Sequence, residues 1–469
     1  MNIFRRQKVE HVLSQNKQSK ERSLGTFDLI LMSIGAVIGT GVMVLTGVIA
    51  ARNAGPAVSL SFIGAGISCI FIVLCYAEFS STIPSAGSSY SYVYVSLGEL
   101  CAYLVGLCIV FGYILSISTV SAGWSAYFIE LLKSVNIDLP ISLTRIPSEG
   151  GIINLPAIFV ILLITFLLSQ GTKESKKVNN LMVLIKLGVI VLFLGVGIFF
   201  IRKENWHPFS PFGLTGIFTG ASSVFFAFTG FDTTASAAEE VKDPQKSLPI
   251  SLITSLIICT AIYVIVSLVL TGIALYNKLD VADALSYALI LVGQTKIAAL
   301  LSVGAVIGIM AVIFADAYGS SRILLALGRD KLLPSRCCSM NSKNAPVYSL
   351  WIIGILSAIL GGFVNLTQLA NLANMCLLSA YFLVCLSLIV FRKIRPDIKR
   401  GFTTPFVPFL PILAMLCCGF LIFHLPTIIW LYFGGFIALS IAFYFLYSYK
   451  NSSINNLDDS IEDEVEDVI

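Results

Sequence analysis

The chain consists of repeated apolar runs of about 20 residues, separated by short polar or charged segments. A helix needs roughly 20 apolar residues to cross ~30 Å of hydrocarbon, so each run is a candidate membrane span. The pattern predicts twelve spans, at about residues 27–50, 56–83, 97–132, 155–168, 178–201, 214–238, 249–275, 297–327, 346–363, 366–391, 406–423 and 426–447. The predicted fold is therefore an all-α polytopic membrane protein.

The composition supports this class. Charged residues make up 12% of the chain and hydrophobic residues 57%, whereas soluble domains carry roughly 25% charged residues. The first 23 residues are polar and basic, so no cleavable signal peptide is expected. Most of the 11 cysteines lie inside apolar runs, where cysteine behaves as a small hydrophobe. No metal site is expected, and the absence of a nucleotide-binding motif argues against ATP-driven transport by this chain alone.

The basic residues predict the orientation. An even number of spans puts both ends on one side of the membrane. Placing both tails and the 2–3, 4–5, 6–7, 8–9 and 10–11 loops inside gathers most of the 30 Lys and Arg there. Because cytoplasmic loops carry an excess of Lys and Arg, both termini are predicted to be cytoplasmic.

The first span contains an unusual stretch, 34–42, in which Gly35, Gly39, Thr40 and Gly41 interrupt the apolar run. Glycine favours helix less than alanine by about 1 kcal/mol, so this stretch predicts two half-helices that meet near mid-membrane. The alternative is a close-packing patch of small residues. Span 6 carries a second interruption at 226–232. The two interrupted spans lie five apart, as in an inverted repeat whose broken helices form a transporter's binding site.

The ends of broken helices carry the groups that an α-amino acid needs. Amides at the start of the second half of span 1 carry partial positive charge and suit the carboxylate. Carbonyls that end the first halves of spans 1 and 6 carry partial negative charge and suit the ammonium. Asp232 is expected to cap the second half of span 6. The residues predicted to bind substrate in this way are Val37, Ile38, Gly39, Thr40, Gly41, Phe226, Ala227 and Thr229.

Six stretches of the chain resemble one transporter family. They are 34–47 (IGAVIGTGVMVLTG), 74–92 (LCYAEFSSTIPSAGSSYSY), 178–187 (VNNLMVLIKL), 225–249 (FFAFTGFDTTASAAEEVKDPQKSLP), 322–334 (RILLALGRDKLLP) and 400–411 (RGFTTPFVPFLP). Together they resemble the amino acid–polyamine–organocation superfamily and, within it, the cationic amino acid transporter branch.

The resemblance implies the five-plus-five inverted-repeat fold of the bacterial leucine transporter, with two extra C-terminal helices. The implied segments are a basic cytoplasmic tail (1–23), a first repeat (24–201), a second inverted repeat (202–396), helices 11 and 12 (397–449) and an acidic tail (450–469). The acidic tail is expected to be disordered from Asp458 onward.

Lys186 is a charge within span 5. Lysine is costly in lipid and usually faces a cavity or a partner. Alternatively it snorkels towards Asn180, six residues and about 9 Å away along the helix. In the resembling family, a lysine in the matching motif occupies the place where sodium-coupled relatives hold an ion. Its protonation is thought to couple proton entry to substrate.

Asp316 is the other deep charge, and a buried carboxylate needs a partner or neutralisation. By its distance from Arg322 it matches a family position at the side-chain end of the pocket. The residues leave four roles open: a structural pair with Arg322, a polar helix contact, a proton carrier, or a counter-charge for a basic side chain. We adopt the last as a hypothesis and count Asp316 among the substrate-binding residues.

Two further positions concern the family pattern. Relatives commonly carry a membrane-embedded glutamate in helix 3, where this chain has Gly112. Any coupling scheme that uses this glutamate is therefore in doubt, and Asp316 is a possible substitute. Glu78 matches a motif near the inner end of span 2, where a gating or structural role is expected.

The leading hypothesis is a secondary transporter that imports an α-amino acid, with arginine, lysine or ornithine favoured, by proton symport. The alternatives are an exchanger or a neutral amino acid transporter of the same fold. A nutrient sensor would need a folded signalling domain, and no pair of catalytic side chains suggests an enzyme. We expect no cofactor other than protons as the coupling ion, and no nucleic acid partner. The substrate and the lipid bilayer are the expected partners, for a monomer in the plasma or inner membrane.

Overall fold

The computed structural model of the chain describes residues 5–10, 12, 24–134, 136–171, 175–342 and 345–454. The tail from Asp458 onward, predicted to be disordered, lies outside these residues, as do residues 13–23 of the basic tail. The described chain is helical, with two isolated bridges in place of any β-strand. The predicted all-α class is confirmed.

Twelve apolar helices follow one another along the described chain, and we number them α1 to α12. α1 and α6 each consist of two halves. The bounds are Thr26–Val37 and 41–54 for α1, Val58–Thr82 for α2, Glu99–Ser134 for α3, Leu155–Ser169 for α4, Ser175–Gly197 for α5, Gly213–Val224 and Phe231–Ser236 for α6, Pro244–Ile273 for α7, Thr295–Arg329 for α8, Val347–Phe363 for α9, Leu366–Ile394 for α10, Phe409–Phe423 for α11 and Thr427–Phe443 for α12.

Length and composition agree with a membrane protein. Among the described residues, eight helical stretches are long and apolar enough to cross a membrane. Four apolar helices are shorter: Thr26–Val37, Leu155–Ser169, Val347–Phe363 and Phe409–Phe423. The second half of α1 continues into α2 as one stretch, Gly41–Thr82. Each predicted span thus corresponds to one numbered helix, and the division into two inverted repeats stays a prediction.

One segment differs from the sequence expectation. The polar stretch after α2 forms a fully buried helix, Ser89–Ser96, rather than a loop. Its tyrosine hydroxyls reach buried carboxylates: Tyr90 donates to Asp330 at 2.6 Å and Tyr94 to Glu99 at 3.0 Å. Burial of these polar tips is tolerated because they are hydrogen-bonded.

The long helices α3 and α8 pack along each other, and α10 and α9 pack on α3. The broken middle of α1 lies among α3, α6 and α8. A Cβ built at Gly39 would lie 2.7 Å from Val312 in α8, and a Cβ at Gly123 of α3 would lie 2.5 Å from Thr40. This packing positions the candidate site at the centre of the helix bundle.

Both described ends of the chain meet at the start of α3. The Glu99 carboxylate accepts hydrogen bonds from Arg5 at 2.9 Å, Tyr444 at 2.9 Å and Ser452 at 2.6 Å. Residues near the two termini therefore lie on one face of the molecule, as an even number of spans requires. We call it the terminal face.

Candidate functional site

α1 is interrupted at the predicted position. Its first half ends at Val37, and Ile38 has extended dihedrals (φ −76°, ψ 108°). A π-helical turn resumes at Gly41. Amides in the first turn of a helix have no intrahelical partner and carry partial positive charge, so the second half of α1 directs a positive end into the bundle.

α6 is interrupted at the same depth, because the two breaks touch. After a 3₁₀ turn, Phe225–Phe228, Thr229 is extended (φ −66°, ψ 154°) and Gly230 has φ 101°. Only glycine adopts this φ without steric cost. A Cβ at Gly230 would lie 3.0 Å from the Ala36 carbonyl oxygen.

The close-packing alternative is also correct for one glycine. A Cβ at Gly41 would overlap the Cα and Cβ of Ala227. Gly41 therefore serves both the break in α1 and the close approach of α6. The two hypotheses that the sequence left open describe the same contact.

A small pocket lies between the two breaks. Helices α1, α3, α6 and α8 supply its walls. Of the predicted substrate-binding residues, Val37, Gly39, Thr40, Gly41, Phe226 and Thr229 line it. The sequence did not single out the other lining residues, which are Ala36, Ser116, Val120 and Val312.

Three predicted binding residues do not line the pocket: Ile38, Ala227 and Asp316. The side chains of Ile38 and Ala227 are buried in the helix contacts around the breaks. Asp316 lies behind Ser116. These three are therefore not first contacts of a solute in this conformation.

The carbonyls assigned to a substrate ammonium are already hydrogen-bonded within the protein. The Tyr263 hydroxyl in α7 lies 2.9 Å from the Val37 oxygen and 2.7 Å from the Ala227 oxygen. Thr229 Oγ1 donates to the Phe226 oxygen at 2.7 Å. The Thr229 amide also donates to the Phe226 oxygen, at 3.2 Å. A carbonyl oxygen has two acceptor positions, so the Val37 and Ala227 oxygens can accept from a second donor, whereas both positions of the Phe226 oxygen are in use. The sequence offered no signal for Tyr263, a single tyrosine in an apolar run.

Lys186 points into the bundle and not towards the membrane surface. Its side chain is fully buried, and Nζ donates to the Gly35 oxygen at 2.7 Å and to the Ile38 oxygen. The snorkelling alternative is wrong. The ammonium lies at the carbonyl end of the first half of α1, where a positive charge is stabilised by the helix dipole.

Asp316 is buried, and only one of its oxygens is bonded. Ser116 Oγ donates to Oδ2 at 2.6 Å, while Oδ1 has no hydrogen-bond partner among the described residues. The suggested structural pair with Arg322 is wrong, because Arg322 pairs with Glu240 at 3.1 Å. Lys186 and Asp232 are both near enough to interact electrostatically with Asp316.

Asp232 does not cap α6 in the predicted way. The N-cap is Gly230, and no side-chain cap bond forms within the described chain. The Asp232 carboxylate instead accepts from Tyr113 at 2.6 Å and from Tyr381 at 2.9 Å. It ties the second half of α6 to α3 and α10.

Gly112, where the family resemblance implies a glutamate, is a close contact between α3 and α10. A Cβ there would lie 2.8 Å from the Leu377 side chain. The structure therefore has no space for a longer side chain at this position.

Glu78 lies on the terminal face, where it contacts two arginines and a backbone amide. Its carboxylate accepts from Arg392 Nε at 2.8 Å and from the Thr404 amide at 2.8 Å, and Arg400 Nε lies 3.1 Å away. These contacts fasten the linker between α10 and α11 to the end of α2, far from the pocket.

Comparison with known proteins identifies the family of this chain. A family model described as amino acid permease matches residues 24–445. The chain is 46% identical to the methylthioribose transporter of Bacillus subtilis (strain 168), over 97% of this chain and 99% of that protein. It is 42% identical to the branched-chain amino acid permease BcaP of the same organism, over 97% and 99%.

Plant relatives are more distant. The chain is 39% identical to cationic amino acid transporter 9, chloroplastic, of Arabidopsis thaliana, over 69% of this chain and 58% of that protein. The relatives named here are transporters or permeases and not enzymes. The expected resemblance to the amino acid–polyamine–organocation superfamily is confirmed, and this chain belongs to the amino acid permease family.

Proposed function

We propose that this chain imports an α-amino acid together with protons and prefers basic amino acids. One observation carries the proposal: the amide end of the second half of α1 and the carbonyl ends at both breaks border one pocket. Opposite partial charges a few ångströms apart suit the carboxylate and ammonium of one small solute.

In the proposed complex, the substrate carboxylate binds at Gly39, Thr40 and Gly41. The Thr40 hydroxyl is buried, borders the pocket and has no partner among the described residues. It adds a donor beside the backbone amides. The ammonium binds the remaining acceptor position of the Val37 carbonyl, together with Thr229.

Protons are the proposed coupling ion, and Lys186 is the proposed carrier. When Lys186 is charged, its ammonium binds the partial negative charge of two carbonyl oxygens at the end of the first half of α1. Loss of the proton removes this positive charge, which weakens the hold on α1 and favours its movement. The buried position supports this role, because burial penalises the charged form of any side chain.

The preference for basic amino acids rests on Asp316. Its unpaired oxygen lies in a part of the bundle where an uncompensated charge is costly. Two unit charges 4 Å apart attract by about 4 kcal/mol at an effective dielectric of 20. A cationic substrate side chain at the Ser116 wall of the pocket would supply a counter-charge for this carboxylate.

A neutral solute is the second candidate. A carboxylate and a serine hydroxyl also bind sugar hydroxyls, and Val120, Phe226 and Val312 form an apolar wall. This combination suits methylthioribose, the solute in the name of the 46% identical relative. The apolar wall alone suits a branched-chain amino acid, as in the name of the 42% identical permease.

The remaining features of the proposal concern the whole protein. The terminal face is cytoplasmic, the protein acts in the plasma or inner membrane, and a monomer suffices because the pocket lies within one chain. Apart from protons, no cofactor is required by the chemistry.

The test is uptake by purified protein in sealed proteoliposomes without internal solute. Arginine, lysine, ornithine, leucine, valine, alanine and methylthioribose are compared with and without an inward proton gradient. We expect the basic amino acids to accumulate, and to do so faster with the gradient.

Three results would revise the proposal. Uptake that requires internal amino acid identifies an exchanger. Accumulation of methylthioribose or leucine without arginine replaces the substrate class. Equal rates with and without the proton gradient remove proton symport.

A further inference from the structure

Ser116 separates Asp316 from the pocket. It lies in α3 with 2% of its surface exposed, and it borders the pocket opposite the break in α1. Its hydroxyl donates to Asp316 Oδ2 at 2.6 Å. Asp316 itself does not border the pocket. The carboxylate is therefore connected to the space that a solute would occupy through one hydroxyl group.

This arrangement leaves the serine oxygen with acceptor capacity. A hydroxyl has one proton and two acceptor positions, and here the proton is directed to Asp316. A hydroxyl that donates to a carboxylate is polarised and accepts a further hydrogen bond more strongly. An apolar wall of Val120 and Val312 borders the same pocket, so a donor there has few other acceptors.

We infer that Ser116 is a specificity-determining residue that relays the charge of Asp316 to the far end of the substrate. A substrate N–H or O–H donates to Ser116 Oγ while Ser116 donates to Asp316. Solutes with a donor at that end are favoured over apolar solutes of similar size. This inference rests on the proposed function, because it requires the pocket to hold the transported solute.

The chain offers a matched control in the same helix. Ser118 is also buried, and its Oγ lies 2.7 Å from the Ile114 oxygen and 3.0 Å from the Ser357 oxygen, either of which can accept its proton. It does not border the pocket. Ser118→Ala therefore removes a buried serine hydroxyl from α3 without changing the proposed relay.

The experiment measures binding of arginine and of leucine to the purified full-length protein by calorimetry. For Ser116→Ala we expect arginine affinity to fall about tenfold or more, as for loss of one charge-assisted hydrogen bond. Leucine affinity should change less than about twofold, because leucine has no donor at its far end. Ser116→Thr, which keeps the hydroxyl, should retain the arginine preference.

Asp316→Asn supplies the second arm. If the relay is correct, adding Ser116→Ala to Asp316→Asn should change arginine affinity by less than about threefold, since coupled residues are not additive. Ser116→Cys has a side chain of similar size, but its sulfur is a weak acceptor, so this variant should also lose the arginine preference. It serves as the test if the alanine variant does not fold.

The inference is overturned if Ser116→Ala weakens arginine and leucine equally, or if Ser118→Ala has the same selective effect. A full effect of Ser116→Ala in the Asp316→Asn background also overturns it. Those results leave amino acid transport intact. Failure of the parent protein to bind or transport any amino acid overturns the proposed function itself.

Discussion

Two buried side chains fix the geometry of the broken α1. Lys186 holds the carbonyls of Gly35 and Ile38, and Tyr263 bridges the carbonyls of Val37 and Ala227. Unpaired carbonyls in a dry interior cost about 1–3 kcal/mol each. The break is therefore supported by donors on α5 and α7 as well as by its own glycines.

The first prediction concerns Lys186→Met, which keeps the length of the stem and removes the charge. We expect uptake in proteoliposomes to lose its acceleration by an inward proton gradient, because no proton can be carried at this position. Arginine binding in detergent, measured by calorimetry, should persist. An unchanged response to the gradient would assign Lys186 a structural role alone.

The second prediction compares two tyrosines. Tyr263→Phe removes one hydroxyl that serves both breaks, whereas Tyr127→Phe removes a bond to the Met43 oxygen alone, at 2.9 Å. We expect Tyr263→Phe to lower the free energy of unfolding by about 1–3 kcal/mol and to do so more than Tyr127→Phe. Thermal unfolding of both purified variants measures this, and equal shifts would contradict the bridging role.

The third prediction concerns Asp283, in the connection between α7 and α8. Burial, together with the neighbouring Glu130 carboxylate, raises the pKa of Asp283 from 3.8 to about 6. The folded chain therefore keeps this proton at a higher pH than the unfolded chain. It follows that the free energy of unfolding falls as pH rises from about 4 to about 6 and stays lower above that range.

Asp283→Asn should accordingly raise the unfolding temperature at pH 7.5 and have little effect near pH 4. The gain is at most about 3 kcal/mol, from about 1.4 kcal/mol per pKa unit. Asp138→Asn, at an exposed position, is the control and should leave the unfolding temperature unchanged at both pH values. A gain of the same size at pH 4 would show that charge is not the cause.

At the residue scale, the sequence indicated which residues are important for the site but not which residues they contact. Glycines, a buried lysine and a buried aspartate are visible in the sequence because they are unusual in apolar helices. The donors Tyr263 and Ser116 are ordinary residues of membrane helices, and nothing in the spacing connects them to α1 or α8. Gly41 shows a further difficulty: Gly41→Val cannot separate binding from packing, because a side chain at 41 overlaps Ala227.

At the scale of the elements, the position of the linker between α10 and α11 depends on one carboxylate, that of Glu78 in α2. Glu78 is 1% exposed and balances Arg392 and Arg400. Removing one member of a buried ion pair leaves an uncompensated charge. The end of α2 and the linker are thus fastened by a group that has no contact with the pocket.

The fourth prediction is that Glu78→Gln lowers the free energy of unfolding by on the order of 3 kcal/mol. Glu10→Gln is the control, because Glu10 pairs with Arg395 on the protein surface, and exposed pairs contribute about 1 kcal/mol or less. Thermal unfolding of the two variants gives the comparison. Equal effects would contradict the role assigned to the buried pair.

Helix existence was predictable, but some local structure was not. Breaks in α1 and α6 follow from glycine placement, and helix bounds follow from apolar length. The helix Ser89–Ser96 was missed because its stabilisation comes from Asp330 and Glu99, which are remote from it in sequence or belong to the next helix. Periodicity carries no information on such tertiary contacts.

At the scale of the whole molecule, the even number of spans and the basic loops determine the predicted orientation. The terminal face gathers Arg5, Arg392 and Arg400, and the chain crosses to the opposite face at the end of α3. Both described ends of the chain lie on this face. The excess of Lys and Arg in the tails and in the loops assigned to the same side predicts that this face is cytoplasmic.

The fifth prediction tests this orientation with fusions. Green fluorescent protein fused after Ile469 should fluoresce in cells, and alkaline phosphatase at that position should be inactive, because the reporter stays in the cytoplasm. Phosphatase fused after Gly150, in the connection between α3 and α4, should be active. The reverse pattern would invert the topology and make the proposed import an export.

The Glu99 carboxylate also bears on how the polypeptide can be rearranged. Arg5 and Ser452 bond to opposite oxygens of this one group, so the two described ends of a twelve-helix chain come within a few bond lengths of each other. Chains whose ends are close tolerate circular permutation. A short linker could thus join the chain between Arg5 and Ser452, with new ends opened in a loop of the opposite face. That would give a chain in which the helices follow in a cyclically shifted order around the same pocket.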